Sequence, residues 1–114
     1  MATLLDAVHR AVITAFHVPV RDRYRVYQAH PKGFMVIQDT GLNISRTDKA
    51  LIITVISKKR DEILKRRFYK ELTEELAGSA SIAPSDVMVA IVENSAADWS
   101  FGYGEAQFLT GELA

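Results

Sequence analysis

Apolar residues recur at helical spacing over the first sixteen positions of the chain. This stripe consists of Leu4, Leu5, Val8, Val12, Ala15 and Phe16. Spacings of three and four residues predict an amphipathic helix, and Pro19 is expected to end it because proline cannot continue the helical hydrogen-bond ladder. Only Thr3 or the chain terminus could cap the first turn, so a further segment is expected upstream.

Two shorter stretches are strand candidates. Residues 23–28 alternate as a strand with one face on the core would, which places Tyr24 and Tyr27 on opposite faces of the sheet. A turn at residues 31–33 leads into residues 34–37, a short apolar strand candidate. Residues 38–49 are polar and contain Gly41, so a loop is predicted there.

The second half of the chain has the clearest pattern. Residues 50–56 are apolar on both faces and rich in β-branched side chains, which predicts a central strand covered on two sides. Asp61 and Glu62 favour a helix start, and the helix is expected to end near Gly78. Its apolar repeat of four residues is Leu64, Phe68, Leu72 and Leu76. Residues 87–92 read as a second buried strand, so a right-handed parallel crossover is predicted.

The tail from Asp98 to Leu109 alternates large residues with glycine. This alternation suggests a tight aromatic hairpin or an arm. Trp99, Phe101 and Tyr103 recur at every second position, which places their rings on one face if the segment is extended. A hydrophobic interface is the favoured interpretation of that face.

Composition limits the possible functions. The chain has 114 residues with 48% hydrophobic content, so a single domain over residues 1–114 is expected. Lys plus Arg and Asp plus Glu balance at 14 each, which gives no global field toward nucleic acid or an anionic membrane. No apolar stretch approaches a membrane span or a secretion signal, and a cytoplasmic location is expected.

The residue types and spacings in the sequence do not predict metal binding or thiol chemistry. The chain has no cysteine, which excludes disulfides, thiolate metal sites and cysteine nucleophiles. His9, His17 and His30 do not share metal-ligand spacing, so no metal site is predicted. His9 and Arg10 lie beside the helical stripe, where a surface role is favoured over catalysis.

A series of motifs, taken together, resembles the malonate semialdehyde decarboxylase-like branch of the tautomerase superfamily. The motifs lie at residues 4–11, 18–24, 39–42 with 46–47, 86–89, 93–94, 98–102 and 106–111. The resemblance implies an α+β fold of two β-α-β units, the first incomplete here, with the helices on one face of a mixed sheet. It also implies a homotrimer, chemistry without a cofactor, and a catalytic proline at the mature amino terminus, upstream of the first helix.

The resemblance also implies a site for a small carboxylate-bearing substrate. Arg60 matches a carboxylate-binding arginine of the family, whereas Lys58 stands where a second arginine would be, and an ammonium does not reproduce a bidentate guanidinium. Asp22 matches an acid that positions water or polarises the reacting group, and Trp99 and Phe101 match the region beside the active site. On the residues alone, a solvated loop is the favoured interpretation of the cluster at 57–60. For Asp22, a turn residue paired with a flanking arginine is an equal alternative to the site role.

The resemblance predicts a keto-enol isomerase, or a decarboxylase or hydratase, of a small oxo carboxylic acid. A terminal amine suits such chemistry because its ordinary pKa of about 7.7–8.0 allows it to act as base or acid near neutral pH. The alternative is a non-catalytic oligomeric or ligand-binding relative that has lost the catalytic proline.

Overall fold

The computed structural model describes residues 2–18, 25–31 and 33–113. Its elements are the helices α1 (Ala2–Phe16), α2 (Glu62–Ala80) and α3 (Gln107–Thr110), and the strands β1 (Leu51–Lys58) and β2 (Val87–Asn94). Two single-turn 3-10 helices, Pro84–Asp86 and Ala96–Asp98, flank β2. The predicted first helix, the predicted second helix and both strands of the crossover are confirmed.

The core lies between the two long helices and one face of the sheet. Its fully buried or nearly buried apolar residues are Ala7, Ala11, Ala15, Phe16, Phe68, Leu72, Leu76 and Ile82. Alanine at every fourth position of α1 lets α2 approach closely, and the Phe16 and Phe68 rings meet at 5.0 Å between centroids. The predicted stripe of α1 is therefore rotated: Leu4, Val8 and Val12 pack at the margin of the core.

Polar contacts fasten the two helices at their surfaces and ends. Arg10 on α1 donates to the Glu75 carboxylate at 2.9 Å and to the Ser79 hydroxyl at 3.0 Å, both on α2. The surface role predicted for Arg10 is confirmed. Asp61 caps α2 from just outside it, since its carboxylate accepts the Leu64 N–H at 2.8 Å, and the helix continues beyond Gly78.

The two strands pair in parallel along their full lengths. The register joins Leu51 to Val87 at one end and Lys58 to Asn94 at the other. Alternation points Ile53 and Val55, together with Val89 and Ile91, toward the helices. The opposite face, here called the outer face, leaves Ile52 and Ile56 about half exposed (48% and 56%), so the predicted two-sided coverage of β1 is not found in the described part of the chain.

Several sequence-based predictions are wrong in detail. Residues 25–28 and 34–37 form no strand, and their side chains are largely solvent-exposed, with Val26 84% and Phe34 79% exposed. Alternating strand-forming residues specify a strand only where a partner edge pairs with them, and neither segment has one among the described residues. The sheet in the described residues has two strands, which run parallel, and the predicted α+β fold is confirmed. Tyr24 lies outside the described residues. Tyr27 lies in no strand, so the prediction that it faces one side of a sheet is wrong.

The long loop at residues 38–49 is tied to the start of β2 by a buried carboxylate. Asp86 is almost fully buried, and its two oxygens accept the N–H and the hydroxyl of Thr47, each at 2.6 Å. Arg46 reinforces the junction by donating to the Ser85 carbonyl at 2.8 Å. The hydrogen bonds from Thr47 hold the pKa of Asp86 below its usual range, with the positive charges of Arg46 and Lys49 acting in the same direction against the effect of burial.

Asp86→Asn is expected to destabilise the fold by about 1–3 kcal/mol at pH 7, because a neutral amide cannot accept both Thr47 hydrogen bonds as a carboxylate does. A carboxyl whose pKa is lower in the folded state stabilises the fold at pH values above its unfolded pKa of about 3.9, and this stabilisation is lost as the pH falls through the folded pKa. The difference in free energy of unfolding between wild type and Asp86→Asn, measured by urea unfolding, should therefore narrow below about pH 4.

Asp39→Asn is the matched control, because Asp39 is exposed and accepts one hydrogen bond, from the Gly41 N–H at 3.0 Å. It should change stability by less than about 0.5 kcal/mol. A difference in free energy of unfolding between wild type and Asp86→Asn that is constant from pH 7 to pH 2 would contradict the role assigned to the Asp86 carboxylate.

Candidate functional site

The candidate site lies where the two parallel strands end. Lys58 is the last residue of β1 and Asn94 the last residue of β2, and the register makes them direct neighbours. By alternation both belong to the outer face, opposite the helices. The carboxyl edge of a parallel sheet is where open α/β folds commonly bind ligands, so two polar side chains here are candidates for binding.

The tail folds back so that its aromatic rings gather beside these strand ends. The Trp99 indole N–H donates to Asn94 Oδ1 at 2.8 Å. Trp99 and Phe101 stack with ring centroids 5.4 Å apart and planes 7° from parallel. Phe108 meets Phe101 edge-on, also with centroids 5.4 Å apart. We call Trp99, Phe101 and Phe108 the aromatic wall.

Lys58 joins the aromatic wall through its charge. The ammonium nitrogen lies 4.2 Å from the centroid of the Phe108 ring, within the range of a cation–π contact. An ammonium has three N–H donors, and a contact with a ring face leaves donor capacity for an anion. The geometry therefore places a cation next to an apolar surface, as recognition of a small organic acid requires.

Short local hydrogen bonds hold the tail in this shape. Asp98 Oδ2 accepts the Ser95 N–H at 2.7 Å and the Ser95 hydroxyl at 2.9 Å. These bonds lower the pKa of Asp98. Gln107 uses both ends of its amide, accepting the Phe101 N–H and donating to the Gly102 carbonyl, each at 3.0 Å. The tail is therefore a compact turn ending in α3, and the predicted hairpin or arm is wrong.

Tyr103 does not join the aromatic wall. Its side chain is fully exposed and its backbone adopts a left-handed conformation at φ 60°. The prediction that three rings share one face holds for Trp99 and Phe101 and fails for Tyr103, because the segment is not extended beyond Phe101.

Arg60 lies in the connection between β1 and α2. The guanidinium carbon is 5.3 Å from the centroid of the Phe16 ring, at the end of α1. Its Nε is buried and has no hydrogen-bond partner among the residues that the structure describes. The ring contacts thus join Lys58 to the aromatic wall and Arg60 to the end of α1. Asp22 lies outside the described residues.

Three residues of the site were not predicted from the sequence as site residues: Asn94, Gln107 and Phe108. Asn94 carried a usable signal, because a polar residue ending a strand of a parallel sheet points to the ligand-binding edge. Phe108 and Gln107 acquire their contacts only through the fold of the tail. No group of three His, Cys, Asp or Glu residues suited to a metal ion occurs in the described residues, and none of the helices described is long and apolar enough to cross a membrane.

Comparisons with known proteins place this geometry in a family. A family model described as "Tautomerase enzyme" matches residues 22–102. The chain is 51% identical over 110 residues to "Probable tautomerase YrdN" of Bacillus subtilis (strain 168), which covers 96% of this chain and 85% of that protein.

Two solved structures are similar along almost the whole chain. Malonate semialdehyde decarboxylase, described with decarboxylase and hydratase activities, aligns at 51% identity and a TM-score of 0.96 over 99% of this chain and 88% of its own. The FG41 malonate semialdehyde decarboxylase inhibited by 3-bromopropiolate aligns at 40% identity and a TM-score of 0.95 over 99% and 86%. This chain belongs to the tautomerase superfamily, in its malonate semialdehyde decarboxylase-like branch.

Proposed function

We propose that this tautomerase-family enzyme acts on a small oxo carboxylic acid by decarboxylation, hydration or keto-enol isomerisation. The observation that carries the proposal is the Lys58 ammonium against the aromatic wall at the carboxyl ends of two parallel strands. A carboxylate can approach the ammonium while the short carbon skeleton packs on Trp99 and Phe101. Similarity to malonate semialdehyde decarboxylase supports a three-carbon oxo acid as the first substrate to test.

The aromatic wall strengthens the charge interaction on which binding depends. Attraction between an ammonium and a carboxylate grows as the local dielectric constant falls, and large rings beside the pair exclude water. Loss of CO2 from a 3-oxo acid also removes a charged carboxylate, which a water-excluding surface disfavours in the ground state. Hydration and keto-enol isomerisation leave the carboxylate in place, and hydration also needs a water molecule, so the aromatic wall favours decarboxylation among the three reactions.

Arg60 is proposed as the second cation of the site. It follows Lys58 by two residues, and its buried Nε has hydrogen-bonding capacity that the described residues do not use. A guanidinium offers paired donors that fit both oxygens of a carboxylate. Asp22 is proposed to assist by orienting water or polarising the reacting group.

Proton transfer is assigned to an amino-terminal proline. The solved malonate semialdehyde decarboxylase was also determined as a mutant whose first residue, a proline, is replaced by alanine. A terminal secondary amine can exchange a proton near neutral pH. The three prolines of the present sequence are Pro19, Pro31 and Pro84, so the first residue of the protein isolated from its native source should be determined together with its intact mass.

A homotrimer is proposed as the assembly. The outer face of the sheet exposes apolar side chains, including Ile52, Ile56 and Val92. A contiguous apolar surface of this kind is typical of a subunit interface. A light-scattering mass of three chains would support the trimer, and a monomer mass at assay concentration would contradict it.

Lys58→Ala and Arg60→Ala are each expected to weaken malonate binding at least about tenfold, since a lost charged hydrogen bond costs about 1.5–3 kcal/mol. Lys59→Ala is the matched control: this lysine lies between the two and is exposed, and its loss should change affinity less than about twofold. Isothermal titration calorimetry at one fixed ionic strength measures all three. Equal losses of malonate affinity for the three variants would show that malonate responds to general surface charge and not to a specific site.

Turnover separates the enzyme from the non-catalytic alternative. Acetaldehyde formation from malonate semialdehyde, and ketonisation of phenylenolpyruvate, are followed with the protein from its native source. Malonate binding that depends on Lys58, without either reaction and without an amino-terminal proline, would favour a ligand-binding relative instead.

A further inference from the structure

Asn94 connects the two parts of the candidate site. It is the direct neighbour of Lys58 across the parallel strands. Its side-chain oxygen accepts the Trp99 indole N–H at 2.8 Å, in a part-buried position. One amide therefore touches the aromatic wall and stands beside the cation.

We propose that Asn94 is a positioning residue that fixes the plane of the Trp99 indole and leaves the Lys58 charge free for an anion. This inference rests on the proposed function. Asn94 need not touch the substrate, because it acts through Trp99 and Lys58.

The indole of Trp99 is held by a hydrogen bond and by stacking. The ring torsion of a tryptophan is broad, so the backbone alone does not fix the ring plane. The Ser95–Asp98 hydrogen bonds fix the turn before Trp99, and Gln107 fixes the backbone at Phe101. The remaining freedom of the indole is removed by its N–H bond to Asn94 and by its stacking on Phe101. An indole N–H that is partly removed from water and has no acceptor is unfavourable, which makes this bond selective for one ring orientation.

The charge of Lys58 restricts which residue suits position 94. Neighbouring strands lie about 4.8 Å apart, so the side chain at position 94 is within reach of the Lys58 ammonium. An aspartate here would accept the indole N–H equally well, but its charge would pair with Lys58 and compete with an incoming carboxylate. Asparagine supplies the acceptor without that competition. Asparagine at position 94 therefore suits both neighbours, the indole N–H of Trp99 and the charge of Lys58.

Two substitutions separate these roles. Asn94→Ala removes the acceptor, and Asn94→Asp keeps it while adding a negative charge. Trp99 is the single tryptophan of the chain, so intrinsic fluorescence reports the environment of this one ring. Malonate affinity, measured calorimetrically, reports the effect on anion binding.

Asn94→Ala should shift the Trp99 emission to longer wavelength and weaken malonate binding about fivefold, the equivalent of one lost hydrogen bond. Asn94→Asp should leave the emission unchanged and weaken malonate binding about tenfold or more. In a Trp99→Phe background, Asn94→Ala should add less than about twofold, because the indole through which Asn94 acts is gone.

The opposite results overturn the proposal. Emission and affinity unchanged in Asn94→Ala would show that Asn94 does not hold the indole, as would a full additional loss in the Trp99→Phe background. Malonate affinity unchanged in Asn94→Asp would refute the charge argument. If wild type itself fails to bind malonate, the proposed function fails, while the emission of Asn94→Ala and Asn94→Asp still decides whether Asn94 positions Trp99.

Discussion

The parallel pairing of β1 with β2 is the constraint on which the rest of this structure depends. Its register runs through eight residue pairs and ends with Lys58 beside Asn94. A shift of one residue would exchange the two faces of a strand, burying Ile52 and exposing Ile53. The same shift would move Lys58 from the aromatic wall to the helix side. Packing of the core and placement of the cation are thus set by a single choice of register.

The two faces of the sheet carry different tasks. One face is covered by α1 and α2, whose contact centres on Phe16, Phe68 and the small alanines of α1. The outer face has no such cover in the described residues and carries the cation and the aromatic wall at one end. Arg60 lies between the two faces: it follows the end of β1, and its guanidinium packs on the ring of Phe16. The division lets stability and binding be altered by different residues.

Sequence patterns predicted the elements that have a strong periodicity of their own. The apolar repeat from Leu64 to Leu76 and the β-branched run at residues 50–56 led to α2 and β1, because such a run identifies an element without reference to its partner. Residues 34–37 failed as a strand because a strand needs an edge to pair with, and composition does not supply one. The family resemblance rested on motifs distributed along the chain, which is why it held although two strand assignments did not.

The site was predicted less completely than the fold. Lys58, Trp99 and Phe101 were named from the sequence, and the structure brings them together through Phe108. Arg60 was grouped with Lys58 because the resemblance matches both to carboxylate-binding positions, and its role in the site stays a prediction. The roles of Asn94 and Gln107 depend on how the tail returns to the sheet. Hydrogen bonds that exist only after such a return carry no periodic signal in a sequence.

The most direct test of a carboxylate site at this edge of the sheet uses the single indole N–H of the chain. Its cross-peak in a two-dimensional ¹H–¹⁵N NMR spectrum is followed as malonate is added at constant pH and ionic strength. We expect a saturable shift of the Trp99 indole signal, together with the backbone signals of Lys58 and Asn94. An indole signal that stays unmoved while signals elsewhere respond would contradict a carboxylate site at this edge.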